Sequence, residues 1–354
     1  MGIGNIPQTV WRQTIGKHIR RRREEILSPI SVEERCSVLS GEKSAALVWT
    51  DASLSGNSEK IGEYALLEAV NNLAAKGAEP VGVSVLASQS PSMEKETLER
   101  MIISMEGLCE KVSAQITCVR AEGNPGIDGN MVYVTAAGIL REESQPLLSK
   151  ITPGMEIILC GYAGLEGTLL IESEAKEELK ERFIPTFLRR TEELEEQLCM
   201  PAVLSGAFRH GAAAMRQIGS GGIFAGLWEL TDAAKVGAEI TLPQISLRQE
   251  TVEICEYYRL NPYQMLSAGS VLMVTDHSRE LVAYLEQEGV KASKIGVTTA
   301  NRAKVITNGA NKRYLDRPAP DEWLRWQAER MKRAGKKAAA RKCIERQKAQ
   351  EVER

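Results

Sequence analysis

Apolar and polar positions along this chain change period repeatedly, and each change marks an element. Ala45 to Thr50 reads as a strand running into Asp51, Glu59 to Lys76 as a helix ended by Gly77, and Val81 to Ala87 as a strand of nearly continuous apolar character. Apolar residues at 98, 101, 102, 105 and 108 draw a helical stripe over Thr97 to Val112, and Gln115 to Val119 and Met131 to Ile139 read as strands. Strands and helices therefore alternate through the first half, the order expected of an α/β domain. The opening through Arg23, with its basic run Lys17 to Arg23, suits a surface helix.

Glu142 to Ile151 is a polar connector, and Pro153-Gly154 turns the chain into the apolar strand Glu156 to Cys160. The pattern then predicts helices over Thr168–Glu174, Lys176–Gln197, Ala207–Gln217 and Ile223–Lys235, a strand Glu239–Leu242, and a turn at Asn261-Pro262. Strand Val271–Thr275, helix Ser278–Glu288 and strand Ala292–Val297 complete the series. The repeated order hints at an old duplication. We divide the chain into 1–150, 151–312 and a basic helical tail, 313–354.

With 354 residues and 43% hydrophobic content the chain is long enough for two packed domains. Residues 321–354 hold eleven Lys or Arg against six Asp or Glu, a local excess of five, so the rest carries −7 within an overall −2. The tail, with Trp323 and Trp326 ahead of a Lys/Arg/Ala/Gln run, favours a helix with a solvated face; RNA, an anionic lipid surface or an acidic partner is the alternative for its charge. Seven cysteines, an odd number with no CxxC spacing, read as reduced thiols of a cytoplasmic protein. No apolar run approaches the roughly 20 residues that span a bilayer.

A carboxylate such as Asp51 at a strand end, facing a helix closed by Gly77 and Pro80, suits a metal–nucleotide site if a second acid stands on the helix. That place holds Asn71 or Asn72. Gly161, Gly164 and Gly167 come after a strand and open a helix, so their backbone either approaches a phosphate or makes a structural turn. Gly221-Gly222 before an apolar helix allows the same two readings. His18, His210 and His277 are scattered, and no GxSxG, HExxH or Walker loop is present.

Taken in order, these segments resemble the superfamily of aminoimidazole ribonucleotide synthetase, selenophosphate synthetase, thiamine-monophosphate kinase and the carbamoyl-dehydratase hydrogenase maturation factor. The resemblance covers about residues 1–312 and is nearest the last branch. It rests on Asn71 to Pro80, Ile151 to Gly154 with the Gly161–Gly167 loop, Ala214 to Gly222, and Asn261 to Val274. It implies an α/β fold of two domains, an N-terminal sheet that forms a barrel with a second copy, and a C-terminal α/β sandwich. It further implies a homodimer that binds ATP with Mg²⁺ and transfers phosphate to a carbonyl or amide oxygen.

The nucleotide-binding positions it implies are Lys43, Asp51, Asn72, Glu122, Gly161, Gly164, Gly167, Gly221, Gly222 and Glu229, with Asp51 as the Mg²⁺ ligand. Several depart from the family pattern. Lys43 stands in the acidic loop, Asn72 replaces the helix acid, Gln217 replaces the acid ahead of the double glycine, and Arg120 enters the segment before Pro125-Gly126. The maturation factor's terminal Pro-Arg-Ile-Cys is matched here by Glu351-Val352-Glu353-Arg354. The resulting expectation is an ATP-binding protein with a degenerate or repurposed site. The alternatives are an active ATP-dependent enzyme, or a regulatory dimer in which Lys43, Arg120 and Arg216 hold a phosphorylated metabolite.

Overall fold

The computed structural model describes residues 9, 13, 27, 36–40, 46–92, 94–140 and 148–333. The basic opening run, Lys43, Cys343 and the tail beyond 333 lie outside the described residues. The N-terminal part is one sheet of five strands, β1 (Cys36–Ser40), β2 (Ala46–Gly56), β3 (Glu79–Gln89), β4 (Gln115–Gly123) and β5 (Asn130–Leu140), in the order β1-β2-β5-β3-β4. It is open rather than closed into a barrel within the described chain. Only β3 and β4 run parallel.

Helices α1 (Ile61–Ala75) and α2 (Lys95–Lys111) join these strands, and α1 packs on the face formed by Val48, Ala52, Leu54, Val132, Val134 and Ala136. Thirteen of the fifteen residues of α1 are buried, because the helix is covered on both sides. It stops where the sequence says it should. Gly77 takes φ +78°, its N–H reaches Ala74 O, and Ala78 N–H reaches back to Leu73 O, a Schellman cap that a left-handed glycine makes cheap.

The C-terminal part is a seven-stranded sheet of β6 (Glu156–Cys160), β7 (Ala214–Gln217), β8 (Gly237–Thr241), β9 (Val271–Thr275), β10 (Ala292–Thr299), β11 (Lys304–Asn308) and β12 (Asn311–Tyr314). Their order is β12-β11-β8-β10-β6-β9-β7. Around it lie α3 (Leu165–Glu174), α4 (Lys176–Lys180), α5 (Pro185–Glu193), α6 (Pro201–Arg209), α7 (Gly222–Ala233), α8 (Gln249–Tyr258), α9 (Ser278–Gln287) and a last helix, α10, over 322–333. No helix among the described residues is long and apolar enough to cross a membrane.

Two expected helices are corrected. Lys176–Gln197 is broken into α4, α5 and a short 3-10 turn, because Pro185 has no N–H to continue a helix and instead starts the next one. Ala207–Gln217 is divided at Gly211, φ +89°; beyond that glycine the chain forms β7, whose backbone pairs with β9. Sheet pairing overrides the helix preference of Ala-Ala-Met-Arg-Gln.

The two halves share their interior. One apolar cluster contains Val70 and Leu73 of α1, Leu165, Leu169 and Leu170 of α3, and Trp323 and Trp326 of α10. The start of the tail is therefore core, with Trp323 0% and Trp326 2% exposed, not a solvated appendage.

Candidate functional site at the domain seam

Where α1 meets the C-terminal part, it faces β7 and the loop into α7. Glu68 lies so close to this loop that a Cβ on Gly219 would stand 2.7 Å from its Oε1. Asn72, one turn along α1, is buried. Gln217 ends β7 buried on the strand face that, through Met215, belongs to the α1 side, and among the described residues neither atom of its amide finds a hydrogen-bond partner.

The α7 N-terminus can only be glycine. Gly221 and Gly222 have φ of +85° and +64°, and a Cβ on Gly222 would come within 2.6 Å of Met265 N and Tyr263 O. A carboxyl group already sits here. Asp321, at the start of α10, accepts from Gly221 N–H at 2.6 Å through Oδ2 and from Trp323 N–H at 2.8 Å through Oδ1. Burial pushes its carboxyl up to about 7 against the pull of backbone N–H groups from Gly221, Trp323 and Leu266. Glu166, also buried, accepts from Ala268 N–H at 2.7 Å; burial first and then Glu68 push its pKa well above the usual carboxylate range.

Asp51 is elsewhere, which corrects the expected facing arrangement. β2 does not end at Thr50 but continues to Gly56, and Asp51 lies mid-strand, exposed, between buried Thr50 and Ala52. It therefore points away from α1 and accepts a hydrogen bond from Thr135 on β5. Asp51 and Asn72 are on opposite sides of the sheet. Glu122 shares the face of Asp51 but belongs to another corner. The register runs Asp51, Thr135, Ser84, Cys118 across the strands, placing Glu122 about 14 Å across and about 13 Å along from Asp51. Glu122 instead accepts from Ser88 Oγ at 3.2 Å and lies 3.5 Å from Arg120.

The Gly161–Gly167 loop has committed its amides. Gly161 N–H goes to Lys291 O, Gly164 N–H to Ser267 Oγ and Gly167 N–H to Leu266 O. Their missing side chains allow close packing, since a Cβ on Gly167 would be 2.3 Å from Met265 Cγ. Glu229 is the ion-pair partner of buried Arg216, which fastens α7 to β7. Of the expected positions, then, the structure gathers Asn72, Gly221 and Gly222 at the seam. It adds Glu68, Glu166 and Asp321, which sequence reasoning missed; an Asp immediately ahead of a helical Trp-rich segment was the available signal, a helix N-cap.

Mg²⁺ demands several hard oxygen ligands held together. Among the described residues no three His, Cys, Asp or Glu side chains converge as a metal-holding group, and Asp51 stands without a second carboxylate beside it. The described donor set does not fit a resident divalent ion.

The chain matches the family model "AIR synthase related protein, N-terminal domain" over residues 33–140 and its C-terminal counterpart over 152–308. It belongs to the AIR synthase related protein family. The chain is 24% identical over 254 residues to "Carbamoyl dehydratase HypE" of Rhodobacter capsulatus, spanning 69% of this chain and 71% of that protein. Among solved structures it is similar to a HypE–HypF complex with a TM-score of 0.70 at 17% identity, covering 88% of this chain and 98% of the other. A HypE structure in complex with ATP superimposes with a TM-score of 0.64 at 16% identity, covering 91% and 98%. At these identities the likeness establishes the two-domain fold.

Proposed function

We propose that this chain is a nucleotide-binding homodimer of the AIR synthase fold whose metal–ATP site has become degenerate or has been repurposed. The observation that carries the reading is the chemistry of the seam. A twelve-residue helix opens on two obligatory glycines, and the amides of Asn72 and Gln217 stand in this region where metal-binding acids would be needed. Backbone N–H groups at a helix N-terminus favour phosphate, and neutral amides recognise rather than charge-balance it. The ATP complex among the fold relatives supports ATP as the first nucleotide to test.

The dimer reading is supported by the face of the first sheet opposite α1. Leu47 and Tyr133 are 40% and 43% exposed there, with Leu39, Trp49 and Leu86 on the same side. An open sheet with exposed apolar residues on its outer face is served by a cover, and a second copy would make the barrel that the fold implies. Asp51 lies on that face.

Thermal-shift titration of the full chain with ATP, ADP and inorganic phosphate, each with and without Mg²⁺, tests the reading. Stabilisation by ATP that needs no Mg²⁺ is the expected result. Rapid Mg²⁺-dependent ATP turnover that Asp51→Ala abolishes would establish an active enzyme instead.

A further inference from the structure

The nucleotide reading leaves one group unexplained, the carboxylate already seated on the α7 N-terminus. Asp321 is 1% exposed, and helix N-termini favour anions because their first N–H groups lack helical acceptors. Its seat on Gly221 N–H is the position that a phosphate oxygen would take at this helix. Resting on the nucleotide reading, we infer that the Asp321 carboxylate is an internal competitor for phosphate, so that nucleotide fully engages α7 only by displacing it.

Two further observations favour a displaceable contact over a simple cap. Gln217, two residues before Gly219, is 4% exposed, and its amide, on the side of β7 that faces α1, finds no hydrogen-bond partner among the described residues. The carboxylate itself is poorly placed as an ion, since burial raises its pKa and Glu166 lies within electrostatic reach.

Displacement would not be local. α10 carries Asp321 at its start and binds both halves of the molecule. Trp323 stacks on Trp326 with centroids 5.2 Å apart, and Trp326 meets Tyr258 edge-on at 5.7 Å. Gln327 Nε2 donates to Ser55 O on β2 at 2.9 Å, Arg325 donates to Arg259 O at 2.6 Å, and Arg330 pairs with Glu178 at 3.0 Å. Moving Asp321 therefore loosens a helix that straps β2 to the C-terminal part, and ligand at α7 becomes coupled to the fit between the halves.

The test uses the full-length chain, wild type and Asp321→Ala, titrated calorimetrically with ATP and with inorganic tripolyphosphate at fixed pH without Mg²⁺. Asp321→Ala should bind both ligands about tenfold more tightly or better. In the wild type, saturating ATP should raise hydrogen exchange across 321–333. Equal or weaker binding by the variant overturns the competitor and leaves the nucleotide reading standing. If ATP binds neither protein, the nucleotide reading falls; tripolyphosphate binding gained by the variant would still support the competitor, and its absence would overturn that as well. Should Asp321→Ala fail to fold, unchanged or reduced exchange over 321–333 in ATP-saturated wild type is the overturning result.

Discussion

Asn71 and Asn72 are neighbours with different work, and only their environment separates them. Asn71 is fully buried and brackets the seam: its Nδ2 donates to Leu198 O at 3.1 Å and its Oδ1 accepts from Met200 N–H at 3.3 Å. Asn71→Ala would leave both backbone groups buried and unpaired, and urea unfolding should show a loss of about 2–3 kcal/mol. Glu172 gives a second residue-scale expectation. It is buried, its Oε1 finds no hydrogen-bond partner among the described residues, and burial pushes its pKa up to about 7. A raised carboxyl takes up a proton on folding, so its favourable contribution is present below the unfolded value and is lost as pH rises towards 7. Glu166 and Asp321 are raised with the same sign. Thermal unfolding should therefore show these groups lowering stability between about pH 5 and about pH 8, and Glu172→Gln should exceed wild type at the upper end while matching it at the lower. Equal stability of the two proteins at both ends would refute this.

At the scale of elements, the sequence was most legible where a local cap or apolar run decides the outcome. α1 ended at Gly77 as expected, and β6 and β9 kept their expected bounds. It was least legible where a distant partner decides. Gly211 ends α6 locally, but nothing local makes the alanines after it a strand; the pairing of Ala214 with Val274 does. Asp51 was misplaced for a related reason, since the extension of β2 to Gly56 is held by its register with Asn130 to Leu140 on β5. The seam acids were hidden because Glu68, Glu166 and Asp321 come from distant parts of the chain. α10 was expected as a helix, but its role as core was not, because a basic run masked two apolar anchors. Trp323→Ala should lower stability by about 3–5 kcal/mol, as deletion of a fully buried aromatic does. A loss below about 1 kcal/mol by denaturant titration, the size of an ordinary surface substitution, would return α10 to the surface.

For the whole molecule, the family assignment fixes the architecture while the residues decide what the architecture holds. The outer face of the first sheet and the seam are separate surfaces, one with an exposed apolar patch around Leu47 and Tyr133 and one lined by amides and buried acids. Light scattering should report a dimer for the wild type, and Leu47→Glu with Tyr133→Glu should give a folded monomer, since charge on an apolar interface opposes association. A dimer that survives both substitutions would place the interface elsewhere. The proposal at the centre is that this chain binds nucleotide without a resident divalent ion. Calorimetric titration of ATP into the full chain, with and without Mg²⁺, tests it most directly. The expected result is affinity that changes by less than about threefold on adding Mg²⁺; binding seen only with the metal, or no ATP binding under either condition, would contradict it.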